Sequence, residues 1–117
     1  MTLEKCKDKS IELNSTAPSQ SFDLKEVITL TFNRFNFRKG FKDSDHLSLV
    51  ISDVNNNNKI LKEINIGTKR SQYTNQEVVP LNDVAPLAIP TNCTKLCFKV
   101  TNTASFEFYL VLIINCL

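Results

Sequence analysis

Apolar side chains recur at every second position along most of this chain. That rhythm belongs to β-strands with one wet and one dry face, because a helix repeats its buried face every 3.6 residues. Leu47, Leu49 and Ile51 alternate with Ser48, Val50 and Ser52, and Leu96, Phe98 and Val100 alternate with Cys97, Lys99 and Thr101. No window of ten or more residues carries a helical stripe. A chain with this pattern must bury its dry faces against one another, and the simplest way is to stack two sheets.

A reading along the chain gives a succession of short strands. Residues 9–14 (KSIELN) alternate briefly, and STAPSQS then breaks the run at Pro18. From Phe22 onward Leu24, Val27, Ile28, Leu30 and Phe32 read as one strand with Thr29 and Thr31 on its wetter side. Phe35 and Phe37 fall on the opposite phase from Leu30 and Phe32, so a bulge near Asn33–Arg34 is needed to turn both sets toward one core. The strands at 47–52 and 59–66 flank Asn55–Asn58, which predicts a hairpin, since Asn tolerates the positive φ of a tight connection. Pro80, Pro86 and Pro90 keep residues 78–90 out of any central strand, although Val78, Val79, Leu81, Val84, Leu87 and Ile89 are apolar enough to lie along an edge. The last two runs, 94–102 and 105–115, read as an antiparallel hairpin whose favoured register sets Leu96, Phe98 and Val100 beside Leu112, Leu110 and Phe108.

The expected fold is therefore all-β, an antiparallel two-sheet sandwich of seven or eight strands, jelly-roll-like or immunoglobulin-like, with a small barrel as the alternative. At 117 residues the chain has room for one core. Residues 1–21 read as a peripheral N-terminal segment and residues 22–117 as a single sandwich domain.

Fourteen basic against twelve acidic side chains leave a formal charge of +2, too little to draw the protein onto nucleic acid or an anionic membrane. The opening MTLEKCKDKS is charged where a secretory leader is apolar, and the longest apolar run, FYLVLIINCL, is half of the about 20 residues a helical membrane span needs. On these grounds no signal peptide and no membrane span are expected, and the setting reads as cytoplasmic or virion-associated.

Chemistry finds few candidates. The single His46 lies beside Asp43, Ser44 and Asp45, but neighbours on a strand face opposite ways, so the cluster reads as the polar start of a strand. With Gly40 and Gly67 the only glycines, a phosphate-cradling loop has no material. Cys6, Cys93, Cys97 and Cys116 include only one close pair, and Cys97 sits inside a strand, which argues against zinc. A Cys93–Cys116 bridge needs the less favoured register of the last hairpin, so free thiols in a reducing compartment are the expectation. No catalytic residues, metal or cofactor are expected, and the chain reads as a non-enzyme.

Two surface patches warrant weighing as ligand sites. In FNRFNFRKGFK, Arg34, Arg38, Lys39 and Lys42 interleave with Phe32, Phe35, Phe37 and Phe41, the mixture that grips single-stranded nucleic acid. Alternation, however, sends rings and charges to opposite faces, so nucleic acid is disfavoured. Tyr73 among Gln72, Asn75 and Gln76 offers a polar, sugar-facing loop, though there is no Trp to act as a stacking platform.

The remaining role is interaction. The last run is apolar on both faces, with Phe106, Phe108, Leu110, Leu112 and Ile114 on one and Tyr109, Val111 and Ile113 on the other. Such a strand must be covered twice, either by its own chain or by another. Phe106, Phe108, Tyr109, Val111 and Ile113, with Val79 and Leu81 of the proline-rich segment, are therefore the candidate interface. The expectation is a structural module that assembles with itself as a homo-oligomer or docks to another protein, of the sort found in a virion, fibre or appendage. The alternative is a ligand-binding sandwich for glycan or single-stranded nucleic acid.

Overall fold

The structure, a computed structural model, describes residues 6–39, 47–66, 77–101 and 108–117. Among these residues nine strands form two antiparallel sheets: β1 (Cys6–Asn14), β2 (Ser19–Asp23), β3 (Thr29–Lys39), β4 (Ser48–Asp53), β5 (Lys59–Asn65), β6 (Glu77–Pro80), β7 (Leu87–Ala88), β8 (Lys95–Thr101) and β9 (Tyr109–Cys116). The first sheet runs β1-β9-β3-β6 with β7 also paired to β3, and the second runs β2-β8-β4-β5. No helix among the described residues is long and apolar enough to cross a membrane.

The pairings nest inside one another. β4 and β5 form the innermost hairpin, β3 with β6 and β7 surrounds it, β2 with β8 surrounds that, and β1 with β9 is outermost. β6 and β7 act as one interrupted edge strand: Leu81 donates its N–H to the Asn33 carbonyl and Ile89 to the Ile28 carbonyl, with Pro86 in the gap. The whole chain is thus a single long hairpin rolled into two layers, the wrapping of a jelly roll. The immunoglobulin plan is excluded, because there the first two strands share a sheet, whereas β1 and β2 lie in different ones.

Dry faces meet between the layers. Phe35, Phe37, Leu110, Leu112 and Ile114 project from the first sheet toward Leu49, Ile51, Leu96, Phe98 and Val100 of the second. The bulge expected near Asn33 is present, since the β3–β9 register shifts between Phe32 and Arg34, and Phe32, Phe35 and Phe37 all enter the core. At the tip of β4–β5, Asn57 and Asn58 take φ of 51° and 56°, the left-handed backbone that Asn accepts at low cost.

Three sequence expectations are corrected. The run from Phe22 to Phe32 is not one strand: it is β2 and β3, in different sheets, joined by residues 24–28 with Glu26 at φ 58°. The last two runs do not form a hairpin either, because β8 pairs with β2 and β4 while β9 pairs with β1 and β3. Their apolar stripes face each other across the core instead of lying side by side. Finally, the cysteines are not all free thiols: Cys6 and Cys116, which β1 and β9 set opposite each other, are disulfide-bonded, and Cys93 and Cys97 remain free. The segment before residue 22 supplies an edge strand to each sheet, and Ile11 and Leu13 on β1 are buried in the core.

Candidate functional site

Of the sequence-derived interface residues, Phe108, Val79, Leu81, Val111 and Ile113 are buried within one chain. Phe108, Val79 and Leu81 belong to the core. Val111 and Ile113 lie outside that core, on the outer face of the first sheet, yet are only 6% and 5% exposed. Val111 sits between Glu12 and Asn36 on the flanking strands, and Ile113 between Ser10 and Arg34. Both residues are thus enclosed within one chain. Tyr109 is half-buried, and its hydroxyl donates to Glu12 Oε1 at 3.1 Å. That bond, with the negative charge behind it, raises the Tyr109 pKa, and Arg38 pulls weakly the other way. Phe106 lies outside the described residues.

Among the described residues the basic and aromatic side chains of the patch part to different sides. Phe32, Phe35 and Phe37 point into the core, while Arg34, half-buried, donates from Nη1 to Asn33 Oδ1 at 3.1 Å and Arg38 is exposed. Lys39 ends β3. Lys42, His46 with its acidic neighbours, and Tyr73 with its polar loop lie outside the described residues. Among the described residues no three His, Cys, Asp or Glu are gathered to hold a metal.

A different place collects polar and apolar groups: one end of the sandwich, where the chain leaves β2 and β4 and enters β8. β4 ends at Asp53, a side chain only 4% exposed, which accepts the Asn55 N–H at 2.9 Å and so caps the 3-10 turn Val54–Asn56. Asn55 in turn clamps that turn to the start of β8. Its Oδ1 accepts from the Thr94 N–H at 2.9 Å, the Thr94 hydroxyl at 3.0 Å and the Lys95 N–H at 3.2 Å. Pro90 to Cys93 form a turn closed by the Cys93 N–H on the Pro90 carbonyl at 3.0 Å. On its other flank, Leu24 donates to the Thr94 carbonyl at 2.8 Å, and Ile28 to the Leu117 carbonyl at 2.7 Å.

These anchors leave two hollows divided by a ridge at Pro90 and Thr91. One, about 410 Å³, is lined by Asp53, Asn55, Asn56, Pro90, Thr91 and Asn92. The other, about 470 Å³, is lined chiefly by Leu24, Val27, Ile28, Ile89 and the same ridge. Ile28 is 65% exposed beside it. The Cys93 thiol lies beneath, with Sγ 3.6 Å from the Lys95 carbonyl. Burial first, and then a hydrogen bond with Asp53, push its pKa up, so it stays a neutral thiol and offers no thiolate nucleophile. The place sets amides and hydroxyls on one side of the ridge and a chiefly aliphatic surface, bordered by Glu26 and Thr94, on the other.

Sequence reasoning did not assemble this end because its members come from three stretches, residues 24–28, 53–56 and 89–94; the Asn run was read as a hairpin tip and the proline-rich segment as an edge with contact residues, without either being joined to the other. The unusual pairing of Asn55–Asn58 with a proline-flanked TNCT was the available signal. Comparison with protein-family models, with curated proteins and with solved structures finds no match for the chain.

Proposed function

We propose that this jelly-roll domain is a non-enzymatic interaction module that takes up an amphipathic ligand, a glycan foremost, at the ridge between the two hollows. The observation that supports this is the sharing of Pro90 and Thr91 by a hollow rich in Asn, Asp and Thr and a hollow rich in Ile, Val and Leu. A sugar ring has both characters, with hydroxyls along its edge and a C–H face that packs on aliphatic or aromatic surface. Asn55, held through its Oδ1 by Thr94 and Lys95, keeps its amide NH2 group at a fixed position as a donor, with little ordering left to do on binding. Lectin and viral capsid domains share this architecture, which is an analogy of fold and not of site. The opposed placement of rings and arginines on β3 weighs against single-stranded nucleic acid as the ligand.

The test is a glycan array followed by NMR titration of the best binder. Shifts confined to residues 26–28, 55–56 and 90–94, lost in the Thr91→Ala/Asn92→Ala double variant, support the reading. An empty array with an unresponsive ridge overturns it.

A further inference from the structure

Beyond that ligand reading, one sheet edge bears on how the protein meets its own kind. Each sheet ends in two edge strands, and three of the four are blunted in the ways edge strands usually are. β1 carries a register break between Cys6 and Lys9, with Asp8 at φ 50°, and exposes Lys7 and Lys9. β5 has a register break opposite Ile51 and Ser52 and bears Lys59 and Lys62. β6 and β7 are broken by Pro80 and Pro86. β2, with sequence SQSFD, has no lysine, no proline and an unbroken register with β8.

The hydrogen bonds flanking β2 fix which of its groups are open. Leu24 donates its N–H to Thr94, and the Pro18 carbonyl accepts from Val100, so the even-numbered residues 18 to 24 face β8. Ser19, Ser21 and Asp23 therefore aim N–H and C=O away from the sheet, and the side chains of all three are exposed. Three open positions, two apart, form a self-complementary set about Ser21.

We propose that β2 pairs antiparallel with β2 of a second copy of this chain, about a two-fold axis at Ser21, to make one sheet continuous across the dimer. In that register Ser21 meets Ser21, and Asp23 meets Ser19 of the second copy. Charge complementarity favours it. Asp23 lies across from Lys95 within its own sheet, and Ser19 lies across from Lys99, so each Asp23 falls between two lysines from different copies. No like charges meet on the axis. On the inner side, Gln20 lies next to Phe22 of the second copy. There it covers the groove of about 580 Å³ between β1 and β2, where Phe22 is half-buried.

The test is sedimentation equilibrium of the intact protein over a wide concentration range, with amide exchange read at each residue of β2. A dimer is expected, with exchange at Ser19, Ser21 and Asp23 slowing as concentration rises and exchange at Gln20 and Phe22 unchanged. Ser21→Pro removes an N–H that the β2–β8 ladder does not use, so circular dichroism and melting stay as in the parent. Two hydrogen bonds vanish from the seam, and the dissociation constant rises by at least about tenfold. Ser21→Lys sets like charges on the axis and acts the same way without relying on proline. Ser10 on β1 also faces outward, since Ser15 donates to Phe108 and sets the odd positions toward β9; Ser10→Pro leaves the dimer intact. A monomer at every concentration overturns the proposal, as does a dimer indifferent to both Ser21 variants or one lost in Ser10→Pro. An extended peptide of another protein found on β2 of a monomer also overturns the choice of partner.

Discussion

Tyr109 on β9 donates its hydroxyl proton to the Glu12 carboxylate on β1, 3.1 Å away, across strands whose register sets Tyr109 beside Asn14 and Glu12 beside Val111. The bond holds only while Tyr109 keeps its proton. Tyr109 therefore ionises above its ordinary value near 10. The folded state then binds this proton more tightly than the unfolded chain does. The stabilisation is complete below pH 10 and is lost as pH rises through the folded-state value. Ultraviolet titration of Tyr73→Phe, which isolates Tyr109, shows a midpoint above 10, and adding Glu12→Gln brings it back down.

The Cys6–Cys116 bond joins positions 110 residues apart, with Cα atoms 4.8 Å from each other. Closing so long a loop removes much freedom from the unfolded chain, worth roughly 4–5 kcal/mol at the upper end. Cys6→Ser/Cys116→Ser is expected to lose unfolding free energy of that order, read as midpoint times slope in urea denaturation. Thiol titration of the parent in denaturant gives two free groups, Cys93 and Cys97.

Those two thiols differ in access. Cys93 is 7% exposed and its pKa is raised, whereas Cys97 is half-buried on the outer face of the second sheet. Iodoacetamide at neutral pH labels Cys97 in the native protein and reaches Cys93 only on unfolding, as peptide mass spectrometry of timed samples will show.

The outer face of the first sheet tests whether the terminal strand needs a partner. Ile113 is enclosed between Ser10 and Arg34 of its own chain. Ile113→Ala costs about 2 kcal/mol, the low end for buried aliphatic truncation, and leaves the sedimentation behaviour unchanged. A change in oligomeric mass instead marks this face as an interface.

At the hairpin tip Asn57 has φ 51° and ψ 37°. Asn57→Gly is near neutral, while Asn57→Val forces a β-branched residue into left-handed backbone and costs about 1–2 kcal/mol. Thermal melts of both variants measure the difference.

What the sequence made legible follows from what alternation reports. A period of two says which side chains face inward, so the bulge at Asn33, the Asn-rich tip and the proline-marked edge at Pro80 and Pro86 were readable. It does not say which of two facing sheets a strand joins. Leu96, Phe98 and Val100 have the same stripe whether Leu110 and Leu112 lie beside them or across the core, and the structure puts them across. Cys6, set among lysines and an aspartate, gave no sign that it pairs with Cys116. The loop end escaped notice because nesting alone brings Asn55 to Thr94. Arg34, Arg38 and the rings of β3 parted as alternation required.

The sulfur bond between Cys6 and Cys116 has a topological consequence. Everything from residue 6 to residue 116 is a closed covalent ring. A single protease cut anywhere within it releases no fragment, and the two pieces separate only when the bond is reduced. The same ring can be reopened at Asn57–Asn58, with a short linker replacing the sulfur bridge, giving a chain whose ends lie at the β4–β5 tip, on the same end of the sandwich as the bridge.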